Sequence, residues 1–140
     1  MSTLVPGLRH TLTITVDDTL IVPAVFPAWR SFGAMPPVFA TAFMIGLMEL
    51  ACVEALQACL APEELSVGTH VDVSHCAATP AGMTVTAEVT LEAVEGRKLW
   101  FHVTAHDPAG VIGEGRHQRA IIERARFMTG VARKARMVAA

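Results

Sequence analysis

The residues of this sequence that could do chemistry begin with a carboxylate in an unexpected place. The stretch FATAFMIGLMELACVEALQACL, Phe39 to Leu60, is nearly all apolar, yet Glu49 stands in its middle. A carboxylate on a buried helix is costly unless it is paired or hydrogen-bonded, and such a cost is often kept for function. The structural alternative is a glutamate that reaches solvent or an oligomer interface. Thr41 lies eight residues earlier, about 80° round the helix at 3.6 residues per turn. Its ordinary role there would be an N-terminal cap. His75 closes the segment HVDVSH. It shares strand parity with Val71 and Val73, so its ring faces the helix if those valines are core. A satisfied core or rim histidine is the plain alternative. Thr41, Glu49 and His75 thus form an acid/base constellation that is weak on spacing alone.

Other chemistries find less support. There is no GxSxG elbow, no phosphate-binding loop and no dinucleotide fingerprint; GVIGEG has the glycines but not the strand-to-helix context. The histidines lack metal-ligand spacing with a second ligand, so no metal is expected. Cys52, Cys59 and Cys76 are odd in number and contain no CxxC. Cys52 and Cys59, in the apolar segment, suit small buried hydrophobes, and the set fits a reducing, cytoplasmic setting rather than a disulfide scaffold.

The elements that must position these residues follow from periodicity. Arg9–Val16 alternates as a half-buried strand, and Thr19–Val25 reads as a second short one. FPAWRSFGAMPP, Phe26 to Pro37, has three prolines, a glycine and three aromatics. It reads as a loop whose large side chains cover something. Pro36-Pro37 opens the apolar helix and Pro62 stops it. Because that helix is apolar nearly all round, it should be buried on most sides. Strands then follow over Leu65–His75, Met83–Val94, Leu99–His106 and about Val111–Arg124. Placing the apolar rows of the middle two strands on one sheet face requires Leu91 opposite Phe101 and Val89 opposite Val103. That register needs an odd or bulged turn at Glu95-Gly96-Arg97. The sum is α+β: one antiparallel sheet wrapped around one long helix.

Length and composition bound the rest. With 140 residues, 52% of them hydrophobic, the chain fits a single domain over residues 1–140 that buries further surface by oligomerising. A net charge of −2 gives no reason to expect nucleic acid. Seven of the eleven Lys and Arg lie between Arg116 and Arg136. They suggest a solvated C-terminal helix or an anion-facing surface. Phe39–Leu60 is long enough to span a bilayer, but a central carboxylate costs about 2.5–3.5 kcal/mol there, and no basic cluster flanks it. No signal peptide is evident.

Four stretches carry a resemblance: PPVFATAFMIGLMELACVEAL, SVGTHVDVSHCAATPAGMTVT, VEGRKL and GEGRHQRAII. In this order they closely resemble the fluoroacetyl-CoA thioesterase family of hot-dog-fold proteins, over roughly Pro36 to Arg126. The resemblance implies a homodimer with active sites between subunits and hydrolysis of an acyl-CoA thioester without a cofactor, coenzyme A being part of the substrate. It places the catalytic set on Thr41, Glu49 and His75. It gives Gly68 a backbone N–H that helps hold the thioester carbonyl, and it aligns an arginine of the last strand with Arg119. Of two gate phenylalanines, one matches Phe32 and the other falls on Met35. With Trp29 these would line a lid over a short acyl chain whose identity the match leaves open; packing over the core is the alternative. Arg116, Arg119 or Arg124 could meet phosphates of coenzyme A. A non-catalytic acyl-CoA binding module and a hot-dog enoyl-CoA hydratase are the competing readings.

Overall fold

The computed structural model describes residues 3–139. Five antiparallel strands form one sheet: β1 (Arg9–Thr15), β2 (Glu64–Val73), β3 (Thr84–Glu95), β4 (Lys98–Asp107) and β5 (Gly110–Glu123). Their spatial order is β1-β3-β4-β5-β2. Three helices accompany it: the short α1 (Arg30–Gly33), the central α2 (Thr41–Leu56) and the terminal α3 (Arg124–Ala139). The architecture is the α+β arrangement expected from the alternation.

Alternation in β3 and β4 builds the core. Val85, Ala87, Val89 and Leu91 lie buried beside Leu99, Phe101, Val103 and Ala105. Val89 pairs with Val103 and Leu91 with Phe101, as parity requires. The extra residue sits inside β3, where the register shifts between Leu91 and Ala93, and not in the turn. The turn itself is the two-residue Gly96-Arg97 between paired Glu95 and Lys98, with Gly96 at φ 65°. A one-residue bulge at Glu92, ahead of the loop, restores parity while letting the turn stay tight.

Helix α2 packs Met44, Leu47, Met48, Ala51, Cys52, Ala55 and Leu56 against that apolar sheet face. The expectation that it is buried on most sides needs correction. Thr41 and Leu50 are exposed, and Ile45, Glu49 and Val53 are only half-buried, so one flank stays open. The helix also ends at Leu56, ahead of Pro62, and hands over to turns.

Two other expectations are corrected. Thr19–Val25 is not a strand: Ile21 makes one isolated bridge to Phe39, and Val22–Ala24 forms a 3₁₀ turn with Pro23 near its start. Proline preorganises that turn and could not donate to a ladder. Within Phe26–Pro37 the chain completes one helical turn, α1, so the segment is not wholly irregular.

The glycines of GVIGEG have structural work. A Cβ on Gly115 would collide with the Asp72 carbonyl, and one on Gly113 with the Ser74 carbonyl and Met44. Their absence lets β5 close onto β2 and the segment that carries His75.

Candidate active site

Thr41 is the first residue of α2, but it does not cap the helix; Ala40 holds the N-cap position without a side-chain bond. The Thr41 hydroxyl turns instead to His75, with Oγ1 2.6 Å from Nδ1. The surrounding backbone fixes both partners. Phe39 N–H donates to the Thr79 carbonyl at 2.8 Å, and Ala40 N–H to the Leu20 carbonyl at 3.0 Å. Ser74 N–H reaches the Glu114 carbonyl at 2.9 Å, and Cys76 N–H the Ile112 carbonyl at 2.7 Å. His75 therefore sits two residues past the end of β2 and is still docked on β5, rather than within the strand. Buried Thr79 is held in turn by Asp107, its Oγ1 donating to Oδ2 at 2.8 Å. Burial keeps the His75 imidazole below its ordinary value. Its Nε2 is buried and has no hydrogen-bond partner among the described residues. The exposed member of the pair is Thr41.

Glu49 belongs to a second cluster. Its Oε1 lies 3.0 Å from Nη1 of Arg119 and 3.8 Å from Nε2 of His117. The carboxylate is not sealed in an apolar core, because 40% of its side chain is exposed. The buried charge is its partner, Arg119, which projects inward from β5. Ser66 on β2 receives the guanidinium twice: Arg119 Nε donates to Oγ at 2.7 Å and Nη2 to the carbonyl at 2.9 Å. An ion pair fixed by additional hydrogen bonds tolerates burial that a lone charge would not. Gly68, opposite Arg119 in the ladder, explains how the carboxylate fits. A Cβ there would stand 2.7 Å from Glu49 Oε1. Nearby Cys52 is pushed up to about 12, chiefly by burial, so its thiol is not a nucleophile at neutral pH.

The predicted residues thus fall into two groups within one chain. Thr41 meets His75, while Glu49 meets Arg119 and Gly68; neither Thr41 nor His75 bonds to Glu49. Eight residues of helix separate Thr41 from Glu49, about 12 Å along the axis. The expected lid residues lie at the surface or against one another: Trp29 is 62% and Met35 47% exposed, and Phe32 meets Phe26 edge-on at 5.6 Å. They do not pack into the buried core. Sequence reasoning missed His117 and Ser66. His117 shares period-two parity with Arg119, so an inward arginine already implied an inward histidine. No cluster of three or more His, Cys, Asp or Glu residues suited to a metal ion occurs among the described residues.

A family model described as fluoroacetyl-CoA-specific thioesterase matches residues 24–125. The chain belongs to this family. It is 45% identical over 128 residues to the fluoroacetyl-CoA thioesterase of Streptantibioticus cattleyicolor, covering 91% of this chain and 92% of that one. A solved structure of a fluoroacetyl-CoA thioesterase superposes with a TM-score of 0.92 at 44% identity, over 95% of this chain and 98% of that one. A hot-dog-like protein from Thermanaerovibrio acidaminovorans shares the fold, with a TM-score of 0.79 at 23% identity over 92% of this chain and 91% of that one. The protein is accordingly a hot-dog-fold member of a thioesterase family.

Proposed function

We propose that this protein hydrolyses short-chain acyl-CoA thioesters to a free acid and coenzyme A, with Glu49 as the reacting carboxylate. The observation that carries this reading is the placement of Glu49: half-open, held by Arg119 and close against Gly68. A thioester carbonyl needs a donor for its developing oxyanion, a nucleophile and relief of charge on the leaving thiolate. The Gly68 N–H supplies part of the first. Glu49 either activates water as a general base or attacks directly to give an anhydride that water then opens. Exposed Thr41 presents its hydroxyl to the substrate carbonyl, and His75 behind it orients and polarises that hydroxyl and helps to manage the charge on the oxyanion and the departing thiolate.

These roles need both clusters at one substrate. A separation of about 12 Å along the helix axis exceeds what one carbonyl can bridge, so the reading includes a homodimer in which Thr41 and His75 of one subunit meet Glu49 and Gly68 of the other. The half-open flank of α2 at Ile45, Glu49 and Val53 supports such a contact. Trp29 and Met35, exposed in one chain, and half-buried Phe32 would line the acyl lid. Met35, a flexible side chain where the family has a gate phenylalanine, leaves the identity of the short acyl group to be decided by experiment, fluoroacetyl included. No cofactor is required. Three free cysteines support work in a reducing compartment such as the cytoplasm.

The test is thiol release from acetyl-, fluoroacetyl-, propionyl-, butyryl-, crotonyl- and phenylacetyl-CoA, with wild type beside Glu49→Gln. Turnover that is lost in the variant is expected. A folded wild type that releases no thiol from any of them refutes the hydrolase reading for these substrates. A 3-hydroxyacyl-CoA formed from crotonyl-CoA would identify a hydratase instead.

A further inference from the structure

Behind the Glu49–Arg119 pair lies a histidine that no role described so far uses. We propose that His117, held as the neutral Nδ1–H tautomer, is a positioning residue that locks the Arg119 guanidinium onto Glu49. This rests on the thioesterase reading of Glu49.

The tautomer follows from its partners. His117 is almost fully buried, at 2% exposure. Its Nδ1 lies 2.8 Å from the His70 carbonyl oxygen. A carbonyl only accepts, so Nδ1 carries the proton. Its Nε2 lies 3.0 Å from Arg119 Nη1. A guanidinium only donates, so Nε2 carries the lone pair. One imidazole is thereby fixed at both ends, by β2 through the carbonyl beside the bulge at Thr69 and by β5 through Arg119.

The consequence falls on Arg119. Nη1 has two N–H groups, and Glu49 takes one while His117 takes the other. Ser66 holds Nε and Nη2. Without the His117 acceptor, a buried N–H loses its partner and the guanidinium gains freedom to swing away from the carboxylate. The groups facing His117 are Arg119 on its own strand, Glu49 from α2 and His70 from β2; its β4 neighbour Phe101 is uncharged. Burial is the main cause that holds His117 below its ordinary value, with Arg119 and His70 adding to it against the His70 carbonyl and Glu49. Protonation would set N–H against N–H at Nη1 and break the lock.

Two measurements on the full-length protein test this. A long-range proton–nitrogen correlation spectrum at pH 7.5, assigned with His117→Gln, should show His117 as a neutral ring protonated on Nδ1. An Nε2–H tautomer or an imidazolium would overturn the proposal. In thiol release, His117→Phe should lower kcat by about 10- to 100-fold with KM within about threefold, as a misplaced catalytic group does. His117→Gln, whose amide can donate to the His70 carbonyl and accept from Arg119, should recover to within about fivefold of wild type. If the Phe variant does not fold, the Gln variant and the spectrum still decide. A folded Phe variant with wild-type kcat, or a folded Gln variant that loses more than about 100-fold, would refute positioning. A wild type without any thiol release would instead defeat the thioesterase reading, and the positioning role with it, even with the predicted tautomer in place.

Discussion

The two clusters along α2 differ in how completely they are bonded. Around Arg119, the guanidinium is held by Glu49, His117 and both the hydroxyl and carbonyl of Ser66. Around His75, among the described residues, a single side-chain bond to Thr41 is made, and Nε2 is left buried without a partner. The first cluster is finished within one chain. The second has the unsatisfied valence that a group ordinarily keeps only where something else completes it. On the proposed reading, one folded chain prebuilds the carboxylate and leaves the Thr41–His75 half to be completed by a substrate or a second subunit.

Variants can break this contrast in order of expected size. The largest losses belong to the groups assigned acid/base or nucleophilic work. Glu49→Gln and His75→Asn should each lower kcat by roughly 10²–10⁴-fold in steady-state thiol release. A His75→Asn enzyme with wild-type kcat would reduce the second cluster to a structural contact.

Next come residues that aim Glu49. Gly68→Ala places a methyl group 2.7 Å from Oε1, so the carboxylate must move. A kcat loss of about 10- to 100-fold is expected, with little change in thermal midpoint. Arg119→Met should cost both activity and stability. It strands the Ser66 and His117 acceptors, and denaturant titration should show a loss of about 1–3 kcal/mol. Unchanged stability would mean that the guanidinium is not the anchor described.

Thr41→Val should have a smaller effect. It removes one hydrogen bond worth about 1 kcal/mol, so kcat should fall by roughly fivefold, whereas Thr41→Ser should stay near wild type. Because Ala40 and not Thr41 caps α2, the helix should not lose stability in either variant.

Acid separates the clusters least. His75 and His117 both sit below their ordinary value of 6.5, mainly through burial. Above that pH both are neutral whether folded or unfolded, and their contribution is constant. As pH falls below it, the unfolded chain takes up protons first, so stability should decline. Asp107 works in a lower window. Its carboxyl is held down foremost by the Thr79 hydroxyl, so its contribution is present above its ordinary value of 3.8 and is lost as pH falls further. Unfolding midpoints measured from pH 8 to pH 3 should show both declines. His117→Gln should diminish the first and leave the second.

Much of the fold was legible in the sequence because buried strands declare their parity. The alternation of Met83–Val94 and Leu99–His106 was enough to fix the β3–β4 register, since a slip by one residue would have turned an apolar row to solvent. Only the place of the extra residue, inside β3 at Glu92, was out of reach. Local geometry was harder. Thr19–Val25 has strand-like composition, yet Pro23 and a tertiary bridge make it a turn. The position of Pro62 marks only where a helix cannot continue, and α2 ends before it. In the site, residue types were legible and partnerships were not. Thr41 looked like a cap because spacing along one helix cannot reveal a histidine 34 residues away. Glu49 looked buried because its helical neighbours are apolar, although its environment is set by Arg119, 70 residues later. His117 stayed unremarked because a histidine beside an arginine carries no spacing signal, only the parity it shares with Arg119.

The central claim is that the two clusters serve one active site completed across a homodimer, and subunit mixing tests it most directly. Glu49→Gln chains, inactive alone, would be refolded with His75→Asn chains, also inactive alone, and heterodimers verified by native mass spectrometry. A two-fold interface that joins Glu49 of one subunit to His75 of the other leaves one intact site per heterodimer. The account predicts thiol release at about half the wild-type rate per heterodimer. Verified heterodimers with no release would contradict it, because every site would then draw both residues from a single chain.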